Sequence, residues 1–319
     1  MSTNFWEKLK GPYFILAPMA DVTDSAFRQI VLNCGKSDVF YTEFVSADGL
    51  CSEKGKPKLM PHLAFKENEH PIVAQFFGAN PENFYKCAQL AKKLGFDGID
   101  INMGCPAGKI VKHDCGAGLI KNPELAKEII HETQRGAGGL PVSVKTRIGY
   151  NKIITEEWIS HLIEAGPDAI ILHGRTMKEM SKVPAHWDEI AKAAVLCRKA
   201  GIPIIGNGDI ASYAEGLEKA EQYGLDGIMV GRGVFSNPWF FNPSIDLAIK
   251  TPMDRIKLVK KHLKLFTELW GKNKHFDVMK KFFKIYISGF EGAKELRVKL
   301  MSARNPAQVR EILGNKLFE

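Results

Sequence analysis

Short apolar segments alternate with amphipathic helical patterns over residues 14–231, and this alternation constrains the fold more than any other feature. Eight apolar segments are predicted as strands: Phe14–Ala17, Val39–Thr42, Ile72–Phe76, Gly98–Asn102, Val142–Thr146, Ala169–His173, Ile204–Asn207 and Gly227–Gly231. Helices between them are predicted to begin where a capping residue precedes proline or an acidic first turn, at Asn80, Asn122, Thr155 and Ser212. Eight strands alternating with helices predict an α/β fold, a closed (β/α)₈ TIM barrel.

Two interleaved patterns support the barrel. The fourth, sixth and eighth strands each follow a Gly-x-Asp turn, at Gly95, Gly166 and Gly224. The third, fifth and seventh strands each follow a proline instead, at Pro71, Pro141 and Pro203. Alternate strands of such a barrel supply alternate layers of interior side chains, so two patterns are expected. The residues that end these strands should converge at the carboxyl-end mouth, where barrel enzymes hold their active sites: Gln75, Asn102, Lys145, His173, Asn207 and Gly231.

The alternation stops near Ser244, which divides the chain into a barrel domain (1–243) and a smaller all-α domain (244–319). Helical periodicity is predicted there over Asp254–Trp270, Phe276–Ser288 and Pro306–Leu313. The second domain carries 17 Lys/Arg against 8 Asp/Glu, whereas the rest of the chain carries 27 against 28. A charge excess confined to one domain indicates a polyanionic partner, which its lysines should contact; examples are Lys260, Lys261, Lys280 and Lys281.

A cysteine stands where the fourth strand ends. Cys105 precedes Pro106, which disfavours helical geometry at the cysteine and holds the thiol on a turn. The alternative is a buried cysteine that acts as a small apolar residue, but Asn102, Lys109 and neighbouring basic residues favour a chemical role. The six cysteines show no CxxC spacing, so we expect no structural metal and a reduced, cytoplasmic setting. We also expect a soluble protein without a signal peptide or membrane span.

A phosphate site is predicted after the last two strands. Gly206–Asp209 and Gly231–Gly233 are glycine-rich turns at the positions where TIM barrels commonly bind phosphate, and Arg232 adds a cation. Lys145 ends an apolar strand and could support negative charge on a reduced flavin, or could simply extend to solvent. His173, with the nearby arginines, could hold an anionic ring or a phosphate. Gln75 could bind the pyrimidine-like edge of an isoalloxazine.

A set of motifs spread over nearly the whole chain is similar, in the same order, to those of the tRNA-dihydrouridine synthase family. They are Leu16-Ala-Pro-Met-Ala-Asp-Val-Thr-Asp24, Thr42-Glu43, Ala74-Gln-Phe-Phe-Gly78, Asn102-Met-Gly-Cys-Pro106 with Lys109, Val144-Lys-Thr-Arg147, His173-Gly-Arg-Thr176, Gly206-Asn-Gly-Asp209 and Gly231-Arg232. In the second domain, Met279-Lys-Lys281 and Ala293-Lys-Glu-Leu-Arg297 resemble the helical tRNA-binding domain of that family.

The resemblance implies an FMN enzyme that uses NADPH to reduce uridines of tRNA to 5,6-dihydrouridine. Hydride passes to C6 of the uracil and Cys105 protonates C5. The residues that would bind FMN are Ala17, Pro18, Met19, Gln75, Lys145, His173, Asn207, Gly208, Asp209, Gly231 and Arg232. Those that would bind the substrate are Asn102, Arg147 and Arg175. The target base must leave its stack to enter the mouth, with the basic domain holding the tRNA, and we expect a monomer.

Three residues depart from the family pattern. Ser181 lies where the family often has a tyrosine near the uridine, Cys115 where glycine is usual, and His186 where aspartate is common. Two other functions are compatible with parts of this pattern: an FMN barrel oxidoreductase for a free pyrimidine, like dihydroorotate dehydrogenase, and an RNA-binding barrel that has lost catalysis. The basic domain disfavours the first, and the combination of Cys105, Lys145 and His173 disfavours the second.

Overall fold

The computed structural model describes residues 4–245 and 250–314. In this part of the chain the strands are β1 (Tyr13–Leu16), β2 (Phe40–Tyr41), β3 (Val45–Ser46), β4 (Ile72–Phe77), β5 (Gly98–Met103), β6 (Val142–Arg147), β7 (Ala169–His173), β8 (Ile204–Asn207) and β9 (Gly227–Val230). Their order in the sheet is β1-β9-β8-β7-β6-β5-β4-β2, and each pairing is parallel. A parallel bridge from Ile15 to Val39, directly before β2, closes the ring. The predicted TIM barrel is confirmed.

The short strand β3 was not predicted. It pairs with the end of β4, Val45 beside Phe76, whereas β2 pairs with the start of β4, Phe40 beside Ile72. The chain therefore leaves the barrel after Tyr41 and rejoins it for two residues. A strand of two residues is too short to give a readable periodicity, so only the pairing partner identifies it.

The Gly-x-Asp repeat has a structural origin at the amino ends of the strands. The carboxylates of Asp97, Asp168 and Asp226 accept hydrogen bonds from the first N–H groups of Ile72, Val142 and Ile204, at 2.6, 2.8 and 2.8 Å. Each aspartate thus caps the first residue of the adjacent strand. The preceding glycines, Gly95, Gly166 and Gly224, have φ of 85°, 62° and 63°, a left-handed conformation that favours glycine. The repeat stabilises the end of the barrel opposite the predicted active site.

The barrel interior is a packed core of alternating strand residues. Ile15, Tyr41, Val73, Ile171, Ile205 and Met229 belong to it and are almost fully buried. Phe5 and Trp6, in a 3₁₀ helix over Phe5–Lys8, join the same cluster. The Phe5 ring lies against Gly98, the first residue of β5, so the aromatic pair covers the amino end of the barrel.

Fourteen α-helices lie in the described residues: α1 (Ser25–Cys34), α2 (Ala47–Cys51), α3 (Lys56–Leu59), α4 (Pro81–Leu94), α5 (Gly108–Val111), α6 (Pro123–Ala137), α7 (Thr155–Glu164), α8 (Trp187–Ala200), α9 (Tyr213–Tyr223), α10 (Gly233–Ser236), α11 (Pro252–Trp270), α12 (Lys280–Tyr286), α13 (Ala293–Ser302) and α14 (Pro306–Leu313). Asn80, Asn122 and Ser212 cap α4, α6 and α9 with their side chains, as predicted. Thr155 is the first helical residue rather than the cap. None of the described helices is long and apolar enough to cross a membrane.

The carboxy-terminal region is helical, as predicted, with two differences. The predicted helix over Phe276–Ser288 is a 3₁₀ turn followed by α12. Helix α13 was missed because its sequence alternates apolar with charged residues and buries only Ala293 and Leu300. Helix α11 packs against α1 of the barrel, and the rings of Phe27 and Phe282 lie 5.3 Å apart. The boundary at residue 244 stays a prediction, and residues 246–249 lie outside the described part of the chain.

A group of charged residues, which we call the junction cluster, joins this region to the barrel. Lys274 Nζ lies 3.2 Å from Asp21, 3.6 Å from Glu43 and 3.9 Å from Asp24. The ammonium also lies 4.4 Å from the centre of the Trp270 ring, whose Nε1 donates to Asp24 at 2.7 Å. Asp21 and Asp24 belong to the segment between β1 and α1. The cluster therefore attaches the helical region to the segment that contains Ala17, Pro18 and Met19.

Candidate active site

A cavity of about 510 Å³ opens at the carboxyl ends of the strands, where the predicted site residues were expected to meet. Twelve of the predicted residues line it: Ala17, Pro18, Met19, Lys145, Arg147, His173, Arg175, Asn207, Gly208, Asp209, Gly231 and Arg232. The lining also includes Gly233, which belongs to the second predicted glycine-rich turn, and four residues that sequence reasoning did not select: Ile210, Ala211, Met229 and Ser236. The sequence feature that could have identified these residues is their position close to the two glycine-rich turns. Gln75, Asn102 and Cys105 do not line this cavity.

Lys145 lies in the cavity wall and is half-buried. Its ammonium donates a 3.1 Å hydrogen bond to Asn207 Oδ1, and the Asn207 amide in turn donates to the carbonyl of Met229 at 2.8 Å. Burial, together with the positive charge of Arg147, lowers the pKa of Lys145 to about 8. The lysine is therefore still mostly cationic at neutral pH. Burial disfavours this charged form, and a bound anion would stabilise it.

His173 and Arg175 form a basic wall beside it. Arg175 Nη1 lies 3.3 Å from His173 Nε2, an arrangement in which the arginine donates and the imidazole carries its proton on Nδ1. Burial, reinforced by the charges of Arg147, Lys145, Arg175 and Arg232, lowers the pKa of His173 well below its ordinary value. A neutral imidazole can accept and donate hydrogen bonds, so His173 can bind a ring edge without adding charge.

The glycine-rich turns have the form of an anion cradle. At Gly208, φ is 139°, and an added Cβ would lie 2.7 Å from the Ala185 side chain, so only glycine fits. At Gly231, an added Cβ would make only ordinary contacts, 3.8 Å from Ala17 and Met19, and would fill space in the cavity. Asp209 forms ion pairs with Arg175 and, at 3.6 Å, with Arg232. These arginines offset the carboxylate and leave a site suited to a phosphate.

Cys105 lies on the loop that follows β5 and is partly exposed. The side-chain oxygen of Asn102 accepts hydrogen bonds from the backbone N–H groups of Gly104 and Cys105, at 3.1 and 2.9 Å. Burial raises the pKa of the thiol, although a backbone hydrogen bond from Ala107 and the charges of Arg147 and Lys145 act in the opposite direction. The thiol is therefore protonated at neutral pH, which disagrees with a cysteine activated as a thiolate.

Gln75 and Asn102 lie beneath the surface of the mouth. Gln75 is fully buried, and its amide oxygen accepts a 3.0 Å hydrogen bond from Asn102 Nδ2. Asn102 is 5 % exposed, and its side-chain oxygen accepts a hydrogen bond from the Cys105 N–H. The expected contacts of Gln75 with a flavin and of Asn102 with a uracil stay predictions, whereas both residues clearly support the loop that holds Cys105.

Arg147 contacts the protein backbone on both sides of the mouth. Its Nε donates to the Gly104 carbonyl at 2.6 Å, and its Nη1 donates to the carbonyls of Thr176 and Met180, both at 3.2 Å. The guanidinium therefore fixes the cysteine loop to the loop that follows β7. A direct contact of Arg147 or Arg175 with the substrate stays a prediction.

The three departures from the family pattern have distinct surroundings. His186 Nε2 lies 3.0 Å from Glu179, whose other oxygen accepts from the Thr176 N–H at 2.8 Å. The pair closes the loop after β7. Cys115 is buried and its thiol contacts the carbonyl of His113 at 3.2 Å. Ser181 is exposed in the same loop as His186. All six cysteines are free thiols, and the described residues hold no group of His, Cys, Asp and Glu that could bind a metal.

Comparison with known proteins identifies the family of the chain. The family model described as dihydrouridine synthase (Dus) matches residues 15–318. A probable tRNA-dihydrouridine synthase of Staphylococcus aureus (strain Mu50) is 43% identical over 318 residues, which cover 98% of this chain and 95% of that protein. Probable tRNA-dihydrouridine synthase 2 of Bacillus subtilis (strain 168) is 42% identical over 320 residues, covering 99% and 97%.

Solved structures extend the comparison at the level of the fold. Histamine dehydrogenase from Rhizobium sp. 4-9 superposes with a TM-score of 0.57 at 14% identity, over 80% of this chain and 49% of that one. An amine oxidase for 6-hydroxypseudooxynicotine from Pseudomonas geniculata N1 gives 0.54 at 13% identity, over 71% and 46%. Such low identities show the barrel alone. The family match over nearly the whole chain shows more, and the chain belongs to the tRNA-dihydrouridine synthase family.

Proposed function

We propose that the protein is an FMN-dependent oxidoreductase that reduces uridines in tRNA to 5,6-dihydrouridine with NADPH as the reductant. The observation that supports this best is that Arg147, which lines the cation-rich cavity, donates a hydrogen bond to the carbonyl of Gly104, directly before Cys105. Asn102, which fixes the Cys105 loop, is the direct neighbour of Lys145 across β5 and β6. The loop that holds Cys105 and the strand that holds Lys145 are thus neighbours at the mouth where a flavin and a base would meet.

The cavity fits FMN in size and in chemistry. Its volume of about 510 Å³ lies in the range of small-molecule sites. Gly208 and Gly231 leave room for a phosphate beside Arg175 and Arg232, while Lys145 and neutral His173 would lie at the ring. Bound FMN, once reduced, supplies the hydride that C6 of the uracil receives.

The residues of the chain account for the rest of the reaction. The Cys105 thiol donates its proton to C5, so the C5=C6 double bond gains one hydride and one proton and becomes single. The thiolate that remains takes a proton from solvent. A pKa raised by burial is suited to this task, because the thiol must keep its proton until the uracil accumulates charge. Lys145 would offset negative charge on a bound ring system.

The basic carboxy-terminal domain would bind tRNA. One expectation from the sequence is wrong, because Lys260 is only 6 % exposed and lies in the packed face of α11. Lys281 donates to the Asp21 carbonyl at 2.9 Å and so belongs mainly to the domain junction. Exposed lysines such as Lys264 and Lys284 are better placed to meet phosphates. A tRNA substrate also agrees with a cytoplasmic enzyme, and we retain a monomer as the expected state.

Reconstitution tests the proposal. Protein saturated with FMN is given NADPH and unmodified tRNA, and dihydrouridine is measured by mass spectrometry of the digested RNA. Cys105→Ala should keep bound FMN and its reduction by NADPH but lose at least about 99% of dihydrouridine formation, in the range typical of a lost general acid. Cys51→Ala, which removes an exposed thiol from α2, is the matched control and should retain activity.

Three results would contradict the proposal in whole or in part. Protein that neither binds FMN nor can be loaded with it would refute the flavin assignment. Equal activity of Cys105→Ala and wild type would remove the thiol from the mechanism. Oxidation of free dihydroorotate, with no activity on tRNA, would favour the alternative of a free-pyrimidine oxidoreductase.

A further inference from the structure

A buried aspartate beneath the mouth ends a chain of hydrogen bonds that leads to Cys105. Asp100 lies on β5, two residues before Asn102, and is fully buried. Its Oδ2 accepts a 2.7 Å hydrogen bond from Gln75 Nε2, and its Oδ1 accepts a 2.6 Å hydrogen bond from the Ser143 hydroxyl. Asp100 does not line the cavity, and the proposed mechanism gives it no part.

The direction of each bond in this chain is forced. The N–H groups of Gly104 and Cys105 can only donate, so Asn102 must turn its oxygen toward the loop. Its Nδ2 then faces Gln75, which must present its own oxygen at 3.0 Å. The remaining end of the Gln75 amide is a donor, and it needs an acceptor at position 100. A carboxylate meets this need in either orientation.

We propose that Asp100 is a positioning residue that fixes the Cys105 loop by setting the orientation of the Gln75 and Asn102 amides. The role in catalysis rests on the proposed function, whereas the role in positioning does not. Without an acceptor at position 100, the Gln75 amide is free to rotate by 180°. Two N–H groups would then face each other between Gln75 and Asn102, and Asn102 could keep its bond to the loop only by leaving a buried donor unpaired.

Two substitutions separate this role from a general need for charge or volume. Asp100→Asn can still present an oxygen to Gln75 and turn its Nδ2 toward the Ser143 oxygen, so the chain survives without the negative charge. Asp100→Leu has no acceptor and breaks the chain. We expect Asn to behave like wild type in loop positioning and Leu to lose it. A role through charge, by contrast, would make the two variants equally defective.

Hydrogen exchange of the apoprotein reads the loop directly. A peptide that spans Ile101–Ala107 reports the Gly104 and Cys105 amides together with those of Met103 and Ala107, since Pro106 has no N–H and the first two residues of a peptide lose their label. Exchange should be about tenfold faster in Asp100→Leu, as expected for the loss of one hydrogen bond, and within about twofold of wild type in Asp100→Asn. A peptide over β7, Ala169–His173, is the internal control and should not change. The rate at which iodoacetamide alkylates Cys105, followed by mass spectrometry, should change in Asp100→Leu and not in Asp100→Asn.

Steady-state kinetics on tRNA then tests the catalytic consequence. In Asp100→Leu loaded with FMN, kcat for dihydrouridine formation should fall at least about tenfold with a small change in KM, while Asp100→Asn retains kcat. Unchanged exchange and alkylation in Asp100→Leu would overturn the inference, as would equal defects in both variants. If Asp100→Leu does not fold, Gln75→Met cuts the same chain and is measured by exchange. If wild type makes no dihydrouridine, the proposed function fails, yet exchange and alkylation still decide the role of Asp100.

Discussion

Replacement of Lys274 by methionine would test how the helical region is held on the barrel. The Lys274 side chain is 9 % exposed, and its ammonium lies within 4 Å of three carboxylates; the side chains of Glu43 and Asp24 are 3 % and 2 % exposed. Methionine retains most of the aliphatic contact with Trp270 but removes the charge. Two buried carboxylates then lose the cation that they share.

The expected loss follows from what remains around those carboxylates. Removing one partner of a buried ion pair typically destabilises a protein by about 3–5 kcal/mol. Here Glu43 keeps His62 at 2.9 Å and the Asp21 N–H, and Asp24 keeps the Trp270 indole, so part of the loss is compensated. We expect a destabilisation of about 2–3 kcal/mol. For a chain of 319 residues, the melting temperature should fall by roughly 3–5 °C.

Calorimetry at one scan rate, together with limited proteolysis, measures the effect. The matched control is Lys280→Met, because Lys280 pairs with Asp277, which is 55 % exposed, and such surface pairs contribute about 0–1 kcal/mol. Cleavage between the barrel and the helical region should accelerate only in the Lys274 variant. Equal melting temperatures of the two variants would show that the junction cluster does not hold the two regions together.

Other predictions concern pH and salt. Since the pKa of Lys145 is about 8, FMN affinity should fall by at most about tenfold per pH unit above pH 8, and Lys145→Met should abolish that dependence in fluorescence titrations. Burial lowers the pKa of His262 from 6.5 to about 4, so the unfolded chain takes up a proton that the folded chain resists. Stability should therefore fall by about 3 kcal/mol between pH 6.5 and 4, and less in His262→Phe. Charge reversal at Lys264 and Lys284 should weaken tRNA binding and flatten its salt dependence, whereas reversal at Glu311 should not.

For each of these three predictions, one result would contradict the reasoning. A Lys145→Met protein whose FMN affinity still declines above pH 8 would assign the titration to another group. Acid unfolding curves that coincide for wild type and His262→Phe would show that a different residue takes up the proton. If the salt dependence of tRNA binding is the same in the lysine variants and in wild type, the RNA-binding face lies outside α11 and α12.

Several features of the fold could be read from the sequence because they depend on local chemistry. Proline after asparagine predicted the capped starts of α4 and α6, and the side chains of Asn80 and Asn122 do cap them. Helix α13 was not predicted because charged residues interrupt its apolar face. Lys260 was misassigned because a basic residue in an amphipathic pattern can lie on either edge of the buried face, and only the packing of α11 decides which.

By itself, the sequence determined the barrel and the strand ends that line its cavity. Alternation along the chain specifies which residues end the strands, and parallel strands bring those ends together regardless of detail. Only the tertiary structure decided what each polar group binds. Arg147 donates hydrogen bonds to three carbonyl groups that belong to two loops. Asp100 is connected to Cys105 by hydrogen bonds through the side-chain amides of Gln75 and Asn102. Such partners are distant in sequence, and their pairing depends on register and side-chain direction, which no local pattern encodes.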